Sequence, residues 1–158
     1  MGKTTTNRKL LEQAHIEARL VMDMKGEYAG MYNHPVFYRF ADFTKRAAMV
    51  KNCVVLIEEA TIHLKVNAQN DDMTAALVNA RHYGNTFIMS FHSLQRVPKY
   101  IFELSNMVIL HKTGDQIGDV KAFGDPKILA AFIEIEKAPM LKSDTGVEYS
   151  PQKVLTLY

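Results

Sequence analysis

Four consecutive apolar residues, Val54-Val55-Leu56-Ile57, run directly into the paired acids Glu58-Glu59, and this segment limits the folds open to the chain more than any other. A strand with one solvated face alternates polar and apolar side chains, whereas an unbroken apolar run suits the centre of a parallel sheet covered on both faces. Such a sheet needs helices on either side, and the chain supplies them in alternation. Thr6 to His15 has good helix formers and lacks Gly and Pro, and Ala18 to Asp23 is a short apolar run ending in an acid. Val36 to Phe40 is a second strand candidate, and Asp42 is placed to cap a short helix over Phe43 to Met49. After a polar stretch from Asn67 to Asp72, the pattern predicts a helix over Met73 to His82, stopped by Gly84, and a strand over Thr86 to Phe91. A helix over Val97 to Leu104 carries Pro98 in its first turn, where a missing donor is tolerated, and Met107 to Leu110 follows as a buried strand. Asp125-Pro126 starts a last helix over Lys127 to Lys137; residues 138–158 form a weakly periodic tail with one strand candidate at Val154 to Leu157. The expectation is a single α/β domain over residues 1–158, with its core in 1–137 and a three-layer, mostly parallel sheet.

Composition agrees with one core. The 158 residues are 47% apolar, which excludes a disordered chain. Lys and Arg number 19 against 17 for Asp and Glu, so no global basic excess announces a nucleic-acid binder and any such contact must be local. The lone Cys53 lies within the apolar run, which excludes an internal disulfide framework, suits a reducing compartment and marks it as core rather than nucleophile. No stretch approaches membrane-span length and the start Met1-Gly2-Lys3-Thr4 has no hydrophobic signal region, so a soluble, cytoplasmic protein is expected. His63, His82 and His111 show no ligand spacing with Cys53, which argues against zinc.

Two elements carry chemistry. Gly2-Lys3-Thr4 matches the last three positions of the phosphate loop G-x-x-x-x-G-K-[ST], with a helix following at once. In such a loop backbone donors and the helix N-terminus hold phosphates, Lys3 reaches the outer oxygens and Thr4 ligates Mg2+, with Thr5 the next residue of the same turn. Three positions alone also describe an ordinary helix start. Val54 to Ala60 resembles a Walker B motif, an apolar strand that delivers two carboxylates to the ligand-binding edge of the sheet. Glu58 would then hold hydrated Mg2+ and Glu59 would polarise the attacking water; a solvated acidic turn is the plain alternative.

Beyond these, Ala80-Arg81-His82-Tyr83-Gly84, the strand Thr86 to Phe91, His92-Ser93, Gln95-Arg96-Val97-Pro98 and the strand Met107 to Leu110 occur in an order that resembles the FtsK/HerA superfamily of P-loop ATPases. Asp23-Met24-Lys25-Gly26-Glu27-Tyr28 also looks like that superfamily's Asp-x-Lys-Gly-Glu-Tyr segment, so the resemblance extends to about Lys112. Within it, the chain is similar to compact viral or plasmid-borne genome-packaging ATPases, and Arg81 to Gly84 to the Zot-like ATPases of filamentous phages. The resemblance implies ATP and Mg2+ as ligands, double-stranded DNA as partner, a homo-oligomeric ring, and Arg81 in the set that neutralises transition-state charge, in its own or a neighbouring subunit. It also places His92 where family members commonly carry a Gln that senses the γ-phosphate, with Gln95 a weaker substitute.

The sequence departs from that family by lacking the strand and five residues before Gly2. In related ATPases that strand lies inside the sheet, and its loss would leave two rows of backbone groups unpaired at about 1 to 3 kcal/mol per buried group. Another segment, a partner chain or a truncated product would account for the gap. The functional expectation is an ATP-hydrolysing DNA translocase or packaging subunit; the alternative is a degenerate member acting as a non-enzymatic interaction subunit. A small P-loop kinase ranks third, since no lid segment rich in arginine is present.

Overall fold

The structure, a computed structural model, describes residues 3–31, 35–65, 71–118, 120 and 125–157. Gly2, assigned above to the phosphate loop, lies outside the described residues.

The apolar run forms β3 (Val54–Ile57), and all four residues are buried. Burying each such side chain contributes about 1.5 to 3 kcal/mol. β3 pairs in parallel with β1 (Arg19–Met22) on one side and β4 (Thr86–Met89) on the other, while β1 also takes β2 (Val36–Phe37), giving the parallel order β2-β1-β3-β4. The alternate side chains of β1 and β3 point to opposite faces, and each face has its own cover. On one face Val21, Val54 and Leu56 pack with Leu11 of α1 (Lys3–Gln13) and with Tyr28. On the other, Leu20, Met22, Val55 and Ile57 pack against α2 (Phe40–Ala47), α3 (Ala60–His63), α4 (Asp71–Val78) and α5 (Lys99–Leu104) through Phe43, Ala60, Met73 and Ile101. The three-layer α/β architecture expected from the alternation is thus the one observed.

β5 (Met107–His111) does not continue this sheet. It pairs antiparallel with β8 (Gln152–Thr156), and α6 (Pro126–Lys137) covers the pair with Ile128, Ala131, Phe132 and Ile135. Asp125 caps α6 by accepting from the Lys127 amide, with Pro126 in the first turn, as the Asp-Pro signal predicts. The strand candidate in the tail therefore finds a partner in β5. Leu141–Lys142 (β6) and Glu148–Tyr149 (β7) form a small exposed hairpin beside it.

Several element ends differ from expectation for local reasons. α1 starts at Lys3 rather than Thr6, and α2 at Phe40, so Asp42 sits in the first turn and pairs with Arg39 instead of capping. α4 ends at Val78, because residues 79–84 form turns in which Tyr83 accepts from the Asn52 amide and Gly84 takes a left-handed φ of +66°. α5 starts after Pro98, which is its N-cap residue. β2 keeps only two of its five expected residues. No described helix is long and apolar enough to cross a membrane.

Candidate functional site

In a parallel sheet with helices on both faces, side chains at the carboxyl ends of the strands converge on one edge. Here the carboxyl ends of β1, β3 and β4 meet the first turn of α1 around a cavity of about 150 Å³ lined by Lys3, Thr4, Asp23, Lys25, Glu27, Glu58, Glu59, Ser90 and His92. The polar residues that matter arrive by helical and strand phase. Lys3, Asn7 and Leu11 lie one turn apart on α1, so the stripe that buries Leu11 in the core also carries Asn7 under the cavity and Lys3 to its rim.

Glu58 is buried at the end of β3, and its Oε1 accepts from the Tyr28 hydroxyl at 2.6 Å and from Asn7 Nδ2 at 2.9 Å. Asn7 Nδ2 also reaches Ser90 Oγ at 2.5 Å, which ties α1 to β4 beneath the cavity. Both described bonds of Glu58 fall on Oε1, which leaves Oε2 as the acceptor with which it can serve a ligand. Burial first, and then the bond to Glu58, push the Tyr28 hydroxyl far above its ordinary value, so Tyr28 is a fixed donor. The Asp23 carboxylate is also buried, but it accepts the backbone amides of Lys25 and Tyr28 and so shapes the turn that presents both residues.

Glu59 stands in the left-handed region at φ 56°, an uncommon conformation for a residue with a Cβ and one that costs of order 1 kcal/mol. That turn brings its carboxylate to Lys25 Nζ at 2.6 Å and His92 Nε2 at 2.5 Å. Burial favours the protonated carboxyl, but the bonds from Lys25 and His92 outweigh it and hold Glu59 below its usual range. His92 Nδ1 lies 2.7 Å from Lys3 Nζ, which also donates to the Phe91 carbonyl at 3.2 Å. Lysine has only donors, so Nδ1 accepts and Nε2–H donates to Glu59, which fixes the tautomer. Desolvation lowers the Lys3 ammonium in spite of Glu59 and Glu58, so Lys3 is a half-buried cation short of anionic partners. The β4 end is pinned as well: the His92 amide donates to Thr61 Oγ1 and the Ala60 amide to the Ser90 carbonyl.

The structure thus brings Lys3, Thr4, Glu58, Glu59 and His92 into one cavity, and Thr4 Oγ1 donates to Glu27 at 3.0 Å. Thr5 is exposed and does not line the cavity. Arg81 is also exposed and lies in the turn before β4, at the opposite edge of the sheet from Glu58, so it cannot reach the cavity of its own chain. Gln95 lies in a short 3₁₀ turn, Leu94–Arg96, and does not line the cavity. Lys25 and Tyr28 were noticed only as part of the Asp23 to Tyr28 segment, without a site role, and Asn7 and Ser90 were not singled out, although the phase of Asn7 relative to Lys3 places the two on one helix face.

A second cavity, of about 210 Å³, opens between β4 and β5. α1 closes it through Thr6 and Leu10, and α5 through Ile101 and Phe102. It lies between the parallel sheet and the β5-β8 pair, and it meets the polar cavity at Lys3 and Ser90.

No family model matches the chain. No curated protein matches it either. Solved structures do. The genome packaging NTPase B204 from Sulfolobus turreted icosahedral virus 2, in complex with ATPγS, superposes with a TM-score of 0.70 at 13% identity, over 94% of this chain and 90% of that one. Its complex with AMPPCP gives 0.65 at 16% identity over 82% and 79%, and its complex with sulfate 0.69 at 14% identity over 97% and 89%. The chain therefore shares the fold of this genome packaging NTPase, the α/β fold expected from the order of its elements.

Proposed function

We propose that the chain is a nucleoside-triphosphate-binding subunit of the packaging ATPase type, which hydrolyses ATP and couples the hydrolysis to DNA movement. The observation that carries this reading is the meeting of Lys3, Thr4, Glu58 and Glu59 in one cavity at the carboxyl edge of the parallel sheet. A half-buried ammonium disfavoured by desolvation gains most from an anion, so Lys3 is the group to bind the outer phosphate oxygens. The hard oxygen donors of Thr4 and Glu58 fit Mg2+, which when bound neutralises phosphate charge and orients the γ-phosphoryl group. Glu59 takes a proton from water as the water oxygen attacks the γ-phosphorus; the bond to the bridging oxygen breaks, leaving ADP and phosphate. In the resting chain Lys25 and His92 make Glu59 a weak base. Phosphate oxygens that draw Lys3 and Lys25 away raise its basicity when a substrate is in place.

Arg81, on the opposite sheet edge, serves the cavity of an adjacent copy in a ring. The test is ATP turnover with double-stranded DNA added. Glu59→Gln loses turnover and keeps nucleotide binding, Lys3→Ala loses binding, and an equimolar mixture of Arg81→Ala with Glu59→Gln recovers turnover that neither variant has alone. Turnover unaffected by Glu59→Gln refutes the assignment. A second reading, a non-enzymatic interaction subunit, draws on the fact that Lys25 and His92 already occupy Glu59. Nucleotide binding unchanged by Lys3→Ala, with no turnover, selects it.

A further inference from the structure

We propose that Lys25 is a catalytic residue of phosphoryl transfer: its ammonium leaves Glu59 for the oxygens of the γ-phosphoryl group, and so tells a nucleoside triphosphate from a diphosphate. This role rests on the ATPase reading above and adds to it a cation supplied by the same chain.

The polar cavity is short of positive charge before any nucleotide enters it. Four carboxylates, those of Asp23, Glu27, Glu58 and Glu59, line it against two lysines, Lys3 and Lys25, and no arginine is among its described lining residues. A phosphate chain adds to that excess, and Lys3 alone does not match it. Position then separates the two lysines. Lys3 Nζ lies against His92 Nδ1, His92 Nε2 against Glu59 Oε2, and Glu59 Oε1 against Lys25 Nζ, so the two ammonium groups stand on either side of the Glu59 carboxylate. A phosphoryl group held by Lys3 and attacked by water on Glu59 lies between them, within reach of a four-carbon lysine stem. A diphosphate, one phosphoryl group shorter, stops before that point and leaves the Lys25–Glu59 pair closed.

The Lys25 side chain is free to swing from a fixed base. Its amide donates to Asp23 Oδ1 at 3.1 Å and the Tyr28 amide to Asp23 Oδ2 at 2.8 Å, so a buried carboxylate holds the backbone of the turn. The side chain itself is 60% exposed, and its described hydrogen bond is the one to Glu59. An exposed ion pair is weak and gives way to a more highly charged phosphoryl oxygen. The bond to Glu59, and then the charge of Glu59, hold the Lys25 ammonium above its ordinary value, so it stays a cation and a donor. The proton of the reaction passes from water to Glu59, and Lys25 exchanges none. One swing thus frees the base and neutralises charge on the group in transfer.

The test compares Lys25→Met with wild type by steady-state ATP turnover, and by calorimetric titration of ADP alone and of ADP with fluoroaluminate, which mimics the group in flight. In Lys25→Met, kcat falls about 100- to 1,000-fold, KM and ADP affinity hold, and the fluoroaluminate complex weakens by the same factor as kcat. Lys25→Arg keeps part of both. In a Glu59→Gln background Lys25→Met still weakens the fluoroaluminate complex, whereas a residue acting only through Glu59 has no effect there. An equimolar mixture of Lys25→Met with Glu59→Gln stays inactive, because both groups serve one cavity. Equal or faster turnover in Lys25→Met, the mark of a brake, overturns the proposal. So does fluoroaluminate affinity indifferent to Lys25→Met in the Glu59→Gln chain, or recovery in the mixture. Wild type without turnover sinks the ATPase reading and this role with it; wild-type turnover that Lys25→Met leaves intact sinks this role alone.

Discussion

Replacing Tyr28 by Phe removes a single oxygen from a fully buried ring, and the structure states what that oxygen does. It donates at 2.6 Å to the buried Glu58 carboxylate, whose other described partner is Asn7. Ring packing against Leu11, Val21, Val54 and Leu56 is unchanged by the substitution, so the cost is the lost charge-assisted bond, about 1.5 to 3 kcal/mol. For a domain of this length that lowers Tm by roughly 3 to 12 °C, since each kcal/mol shifts it by about 2 to 4 °C. Tyr28 also orients the carboxylate proposed above as a Mg2+ ligand, and removal of such an outer partner typically weakens metal binding about 10- to 100-fold. Thermal unfolding and urea titration measure the first effect, and Mg2+-dependent nucleotide affinity the second. Tyr38→Phe, on an exposed ring, is the control and should be neutral. In a double-mutant cycle, Tyr28→Phe should cost little once Glu58 is Gln, because the coupling is to a charge. A change below about 0.5 kcal/mol in the single variant, with affinity intact, would show that the Tyr28–Glu58 bond carries neither role.

Three further outcomes follow from other contacts. The Glu59 carboxyl is held below its ordinary value of 4.5, so the unfolded chain binds its proton more readily; the stability it contributes is present above that value and lost as pH falls through the folded one, and urea titrations of wild type and Glu59→Gln should converge in acid and separate above about pH 4.5. Gly84→Ala should destabilise by about 1 to 2 kcal/mol from its φ of +66° and more from its new Cβ, 2.4 Å from Asn52 Oδ1; Gly26→Ala, at φ +73° with open space around it, should show the backbone cost alone. Asn85→Ala removes the amide that accepts from the Cys53 backbone and donates to the Val50 carbonyl, and loss of both should cost about 1 to 3 kcal/mol in the same assay while leaving nucleotide binding unchanged.

What the sequence made legible follows from how local each signal is. β3 and its acids were legible because a doubly covered strand must be apolar throughout, and α6 because Asp125-Pro126 caps it from within its own turn. The position of Arg81 was deducible too: a residue just before one parallel strand lies at the edge opposite to residues just after another. The Tyr28–Glu58 and Asn7–Ser90 bonds span 30 and 83 residues, and nothing local encodes them. The same holds for the pairing of β8 with β5, since Val154 to Leu157 shows strand composition without naming a partner. α4 stops short because the Asn52 and Gly84 turns, which join β3 and β4 at their starts, claim the residues a continuing helix would use.

The stripe Lys3, Asn7, Leu11 makes α1 a stiff rod with three fixed tasks along its length. Its rim end meets whatever enters the acidic pocket, its middle grips two neighbouring strands at once, and its far end is anchored in the interior. Because Asn7 holds the β3 carboxylate and Ser90 with one amide, a single side chain one turn below Lys3 sets the spacing of two strand tips.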